Sequence, residues 1–75
     1  MNTLVGRVGW VVIPTRGAAG AGEVLLNVGG SQMSAVAWST EPLGKGQSVL
    51  VIDTLGPRIV TVEPWKDFGV APEDE

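Results

Sequence analysis

Short valine-rich runs recur along this chain, and glycine or proline separates each run from the next. The five runs are Val8–Ile13, Val24–Val28, Met33–Trp38, Val49–Ile52 and Ile59–Val62. Valine and isoleucine favour strands, whereas glycine and proline mark turns. The pattern therefore predicts an all-β protein whose five strands form a small barrel.

The alternation within the runs predicts which side chains face the barrel interior. Val24, Leu26 and Val28 share one face of the second strand, and the small residues Ala35 and Ala37 share one face of the third. Successive side chains of a strand point to opposite faces. We therefore expect these residues to pack inside the barrel, with the two alanines allowing close approach.

The connections between the runs carry turn residues. Gly29-Gly30 predicts a tight hairpin, because glycine readily adopts the positive φ angles that such turns need. The connection Ser39–Gly46 is too short for a substantial helix, so we expect a single turn over Glu41–Leu43 and a Leu43 side chain that closes the bottom of the barrel. The fold class predicted is thus a barrel without a helix between the third and fourth strands.

The chain divides into a barrel and a short C-terminal part. We assign residues 1–64 to the barrel and residues 65–75 to a C-terminal segment with an acidic, disordered end, Pro72–Glu75. A segment of low hydrophobicity and high charge does not bury enough apolar surface to fold. The first loop, Thr15–Gly22, is rich in glycine and alanine and is expected to be a plain flexible loop.

Composition narrows the chemistry that this chain can carry. Its 75 residues include no cysteine and no histidine, which removes disulfides, thiolate metal sites and the commonest general base. The net charge is −3, and the five basic residues are scattered, which argues against nucleic-acid binding. No apolar run approaches the roughly 20 residues of a membrane-spanning helix, and the N-terminus does not resemble a signal peptide. We expect a cytoplasmic chain that uses no metal and no cofactor.

No catalytic arrangement stands out. Serines such as Ser31 and Ser34 with Lys45 suggest a Ser-Lys pair only in principle, since none lies in a recognisable nucleophile turn. The acidic residues belong to different elements, and the glycine-rich loop is followed by a strand instead of the helix that phosphate binding needs. The sequence therefore predicts a protein that is not an enzyme.

The aromatic residues are the remaining candidates for a site. Trp10 and Trp38 fall within strands and are expected in or near the core, because tryptophan is highly buried on average. Trp65 and Phe68 follow the last strand, so they either cap an open end of the barrel or contact a partner. Trp65, Phe68 and then Trp38 are the predicted partner-binding residues.

The order of the glycine motifs resembles one family. Leu4-Val5-Gly6-Arg7-Val8-Gly9 opens the barrel, Leu43–Val51 follows a glycine turn and a small-residue strand, and Leu55–Pro64 closes the pattern. This is similar to the C-terminal soluble domain of the NfeD family, over about residues 4–64. Met33 departs from that family's pattern, which commonly has an aromatic residue there, and the loop Thr15–Gly22 is longer than expected.

The resemblance implies a five-stranded Greek-key barrel of the OB-fold type. It also implies a domain tethered to a membrane through helices that this chain lacks, and partners among stomatin- or flotillin-like scaffold proteins. We therefore predict a non-catalytic protein-interaction domain of an NfeD-like, membrane-associated protein. The alternative is a single-stranded nucleic-acid binder, since many OB-folds have that function.

Overall fold

The structure, a computed structural model, describes residues 4–65; residues 1–3 and 66–75 lie outside the described part. Its strands are β1 (Val8–Ile13), β2 (Thr15–Arg16), β3 (Gly22–Val28), β4 (Ser31–Trp38), β5 (Pro42–Leu43), β6 (Ser48–Gly56) and β7 (Ile59–Pro64), with one turn of 3₁₀ helix at Gly17–Ala19. The five long strands are the five that the sequence predicts. The 3₁₀ turn and β2 lie in the segment Thr15–Gly22, for which the sequence predicts a plain flexible loop.

The long strands close into one barrel. Their spatial order is β1-β3-β4-β7-β6, and β6 returns to pair with β1. Every neighbouring pair is antiparallel except β4 with β7, which is parallel. This is the strand order of an OB-fold. Between β4 and β6 the described chain contains no helix, so the predicted fold class is confirmed.

Alternating residues of the long strands fill the barrel interior. The buried apolar side chains are Val11, Val24, Leu26, Ala35, Ala37, Leu43, Val49, Val51, Val60 and Val62. The inward faces predicted for the second and third strands are therefore confirmed at Val24, Leu26, Ala35 and Ala37. Because these positions point inward, their neighbours on the same strands point outward.

The connection between β4 and β6 differs from the prediction. Pro42–Leu43 does not form a turn but the short strand β5, whose Leu43 pairs with Thr15 of β2. The backbone N–H of Leu43 also donates to Thr15 Oγ1 at 3.0 Å, which fixes this pairing. Leu43 is 2% exposed and belongs to the core, so its side chain is buried as expected.

Two tight hairpins directly precede β4 and β7, and because these two strands run parallel, both hairpins lie toward the same end of the sheet. Gly29 and Gly30 have φ angles of 57° and 85°, as a two-residue turn between β3 and β4 requires. The other hairpin joins β6 and β7 through Pro57 and Arg58. β6 extends four residues beyond the valine-rich run Val49–Ile52, and irregularities in the β6–β7 register accompany this extension.

Candidate functional site

An exposed apolar patch lies on the outer surface of β4 and β7. Since Ala35 and Ala37 point inward, Val36 and Trp38 of β4 point outward, and Ile59 of β7 is the register partner of Val36. Their exposed fractions are 43% for Val36, 37% for Trp38 and 36% for Ile59. We call these three residues the outer patch. Three large apolar side chains that share one face and remain open to solvent form a candidate contact surface.

A shallow cleft adjoins the outer patch. It has a volume of about 210 Å³ and is lined by Glu23, Ser34, Ala35, Val36 and Arg58. Glu23 is the register partner of Val36 on β3, and Arg58 lies on the opposite side of β4, in the β6–β7 turn. We call this feature the Arg58 cleft. It places an acidic and a basic side chain around a partly apolar floor.

Arg58 has an unusual backbone conformation. Its φ is 61°, which makes it the one non-glycine residue of the described chain with a positive φ. This left-handed conformation costs an L-residue roughly 1 kcal/mol, and glycine would adopt it without that cost. The Arg58 carbonyl oxygen accepts a hydrogen bond of 2.8 Å from the Val36 N–H, which ties the turn to β4. That bond uses only the backbone, so it does not explain why the side chain is arginine.

The predicted partner-binding residues do not form one cluster along the sheet. Trp38 lies opposite Thr61 of β7. Trp65 follows the end of β7, and its N–H donates to the Ser48 carbonyl at 2.9 Å. Three residues, Val62, Glu63 and Pro64, therefore lie along β7 between the position beside Trp38 and Trp65. Phe68 lies outside the described residues, so its predicted role, like that of Trp65, stays a prediction.

Trp65 and Trp10 instead lie on either side of the same residue of β6, Ser48. Ser48 of β6 pairs with Trp10 of β1, and the same Ser48 accepts the hydrogen bond from Trp65. Trp10 is half-buried, which agrees with the expected near-core position, whereas Trp65 is 40% exposed. Trp38 was expected in or near the core, but the small residues beside it fill the interior, so Trp38 points outward.

The serine and acidic side chains do not converge on a reactive centre in the described chain. Ser39, which is buried, is within hydrogen-bond distance of the Thr15 hydroxyl and donates to the Glu41 carbonyl oxygen. Over residues 4–65, no three acidic side chains come close enough together to hold a metal ion. No helix in this same part of the chain has the length and apolar character needed to cross a membrane.

The charges of the barrel balance. Residues 66–75 contain one lysine and four acidic residues, so residues 4–65 retain four basic and four acidic side chains. The basic residues are Arg7 before β1, Arg16 in β2, Lys45 before β6 and Arg58 in the β6–β7 turn. They belong to four different elements. The described barrel therefore offers no run of adjacent basic residues to a phosphate backbone.

Sequence reasoning missed Val36, Ile59 and Arg58. The two aliphatic residues looked like ordinary strand residues, since only the register shows that they meet on the outer surface. The sequence does contain one indication that Arg58 is unusual. A two-residue turn that starts with proline commonly has glycine next, and here the sequence reads Leu55-Gly56-Pro57-Arg58.

Comparison with known proteins agrees with this geometry. Residues 8–63 match the family model of the NfeD C-terminal domain. The structure is similar to the solution structure of the soluble domain of the NfeD protein YuaF from Bacillus subtilis, with a TM-score of 0.66 and 31% sequence identity. That similarity covers 79% of this chain and 70% of the other. Among curated proteins no match was found. The family match spans the whole barrel from β1 to β7, so the chain belongs to the NfeD C-terminal domain family.

Proposed function

We propose that this domain is a non-catalytic protein-interaction module of an NfeD-type, membrane-associated protein. Its partners would be scaffold proteins of the stomatin or flotillin type. The exposed apolar outer patch, Val36, Trp38 and Ile59, is the observation that carries the proposal. Tryptophan is enriched among the residues that dominate binding energy, and burying such a side chain against a partner excludes water from it.

Two further observations support an interface at this place. The patch adjoins the Arg58 cleft, so apolar contact area lies beside a charged group of each sign. Interfaces commonly combine an apolar centre with a polar rim. Residues 4–65 carry equal numbers of basic and acidic side chains, so this part of the chain does not repel a partner of either sign at long range.

The test measures binding of the full chain to a purified stomatin-type protein by isothermal titration calorimetry. Trp38→Ala is expected to weaken binding by about thirtyfold or more, which corresponds to the roughly 2 kcal/mol lost at an interface hot spot. Val5→Ala is the matched control, because Val5 is 47% exposed but precedes β1 and lies outside the outer patch. The control is expected to bind like the unchanged chain.

Trp65 and Phe68 make a second, separate contact in this proposal. Replacing both by alanine is expected to weaken binding while the thermal melting temperature changes little. A large fall in melting temperature would show instead that the two side chains stabilise the barrel. If neither this variant nor Trp38→Ala changes the affinity for a partner that does bind, the proposed surface is wrong.

A further inference from the structure

One edge of β4 is unpaired along its first half. The parallel pairing with β7 begins at Val36 with Ile59 and ends at Trp38 with Thr61. Before Val36, the chain of β7 turns away through Pro57 and Arg58. In the described chain, no strand therefore lies beside β4 at Gln32 and Ser34, although the barrel is closed at Val36 and beyond.

The backbone groups at this edge point toward the open side. Hydrogen-bonded and non-hydrogen-bonded positions alternate along an antiparallel ladder. The two-residue turn makes Val28 and Ser31 a bonded pair, so Met33 and Ala35 also bond to β3. The N–H and C=O groups of Gln32 and Ser34 then face away from β3. Val36 follows the same alternation, since its N–H already bonds to the Arg58 carbonyl oxygen.

The Arg58 cleft lies at the end of this open edge. Ser34, Ala35 and Val36 line the cleft, so a strand that paired with Gln32 and Ser34 would place a side chain at its mouth. Arg58 is exposed, and within residues 4–65 no carboxylate forms an ion pair with it. Its guanidinium is thus available to an acidic group that enters along the edge.

The conformation of Arg58 supports a binding role for its side chain. Strained residues persist where the surrounding structure holds them, and they concentrate at binding and active sites. Glycine would relieve the strain and keep the hydrogen bond between the Arg58 carbonyl and Val36, which uses only the backbone. The turn alone therefore does not require arginine.

We propose that the β4 edge at Gln32 and Ser34 receives an extended segment of the protein partner as an added strand, with a carboxylate of that segment bound by Arg58. This inference rests on the proposed function and names its binding mode. An extended chain gains main-chain hydrogen bonds at an open sheet edge, while side-chain pockets select its sequence. The added strand would extend the line of β7 and reach the outer patch.

The test uses the full chain labelled with ¹⁵N and a short synthetic peptide of alternating threonine and valine with one central glutamate. NMR titration is expected to shift the amide signals of Gln32 and Ser34 and to slow their hydrogen exchange. Arg58→Gly is expected to weaken peptide binding about tenfold or more, because a charge-assisted hydrogen bond is lost. Its melting temperature is expected to stay equal or to rise, which a structural role of Arg58 would not give.

Control variants of the chain and of the peptide distinguish the loss of the Arg58 charge from a change in folding. Lys45→Gly removes the same charge from another exposed turn and is expected to leave peptide affinity unchanged. Replacing the glutamate of the peptide by glutamine is expected to weaken its binding to the unchanged chain. The same replacement is expected to have no effect on the already weaker binding to Arg58→Gly. Ser34→Pro removes no N–H that bonds to β3, and proline is tolerated at such an edge position, so the variant is expected to fold and to lose the peptide.

Several outcomes would overturn the proposal. One is that Arg58→Gly binds the peptide as tightly as the unchanged chain, and another is that the amide signals of Gln32 and Ser34 do not shift. A third is slow hydrogen exchange at these two amides in the free chain, which would show that the chain itself covers the edge. Slow exchange that increases with protein concentration would identify a second copy as the occupant. If Arg58→Gly and Ser34→Pro bind a stomatin-type partner normally while Trp38→Ala does not, the edge proposal fails and the proposed function stands.

Discussion

The hydroxyl oxygens of Thr15 and Ser39 lie 2.8 Å apart inside the protein, between β2 and the end of β4. Thr15 Oγ1 also accepts the N–H of Leu43, and Ser39 Oγ donates to the Glu41 carbonyl oxygen. The Thr15 hydroxyl is also within hydrogen-bond distance of the Glu41 carbonyl oxygen, at 3.3 Å. The chain of hydrogen bonds attaches β5 to β2 and thereby holds Leu43 in the core.

Replacing Thr15 by valine should lower the free energy of unfolding by about 1–3 kcal/mol, because the buried Leu43 N–H loses its acceptor. Urea denaturation measures the change. Thr40→Val is the control, since Thr40 is exposed and should change stability by less than about 0.5 kcal/mol. Equal effects of the two substitutions would show that the buried hydroxyl is not needed.

A methyl group at position 9 should disrupt the contact between β1 and β3. A Cβ at Gly9 would lie 1.9 Å from the Leu25 carbonyl oxygen, which belongs to the backbone of β3 and has little freedom to move. Gly9→Ala should therefore lower the free energy of unfolding by at least about 1–3 kcal/mol, the usual effect of overpacking. Gly44→Ala, where a Cβ would meet no atom within 4 Å, should be tolerated. Thermal melting of both variants compares them directly.

The Gly29-Gly30 turn should accept asparagine but not valine at its first position. Gly29 has a φ of 57° and open space where a Cβ would lie. Asparagine tolerates this conformation and restricts the unfolded chain, so Gly29→Asn should leave the free energy of unfolding unchanged or raise it by up to about 1 kcal/mol. Gly29→Val should lower it by about 1–2 kcal/mol, since a β-branched residue is strained there. A stable valine variant would contradict the turn geometry.

Single-stranded oligonucleotides should bind weakly if at all. The described barrel has no net charge, and its four basic residues lie on separate elements. We expect no dissociation constant below about 10⁻⁴ M in a tryptophan-fluorescence titration at low salt, the weak end of non-specific binding. Tighter binding that weakens as salt is added would instead favour the nucleic-acid alternative.

Much of the fold was predictable from the sequence because strand alternation and turn residues act locally. The inward positions Val24, Leu26, Ala35 and Ala37 follow from period-two patterning, and the first hairpin follows from Gly29-Gly30. The strand β5 was not predictable in this way. It depends on a hydroxyl of Thr15 that is distant in sequence and close only after the barrel has formed.

The candidate site was predicted only in part. Trp38, a predicted partner-binding residue, is exposed on the outer surface, and its role stays a prediction. Its neighbours Val36 and Ile59 were missed, because their contact depends on the register of two strands that are distant in sequence. Trp38 and Trp65 were grouped by residue type, although they lie at different positions along β7. The open edge at Gln32 and Ser34 was also invisible, since it depends on where β7 begins to pair with β4.

The parallel pairing of β4 with β7 bears on how the domain is made in the cell. β7 is the last strand of the barrel to be synthesised, and β4 pairs with it only from Val36 onward. A nascent chain can form the β3–β4 hairpin early, but it cannot close the barrel until residues 59–64 have left the ribosome. During that interval the whole edge of β4 is open to other strands. Barrel closure therefore has to wait for the last strand, and the period of greatest aggregation risk ends when β7 pairs with β4.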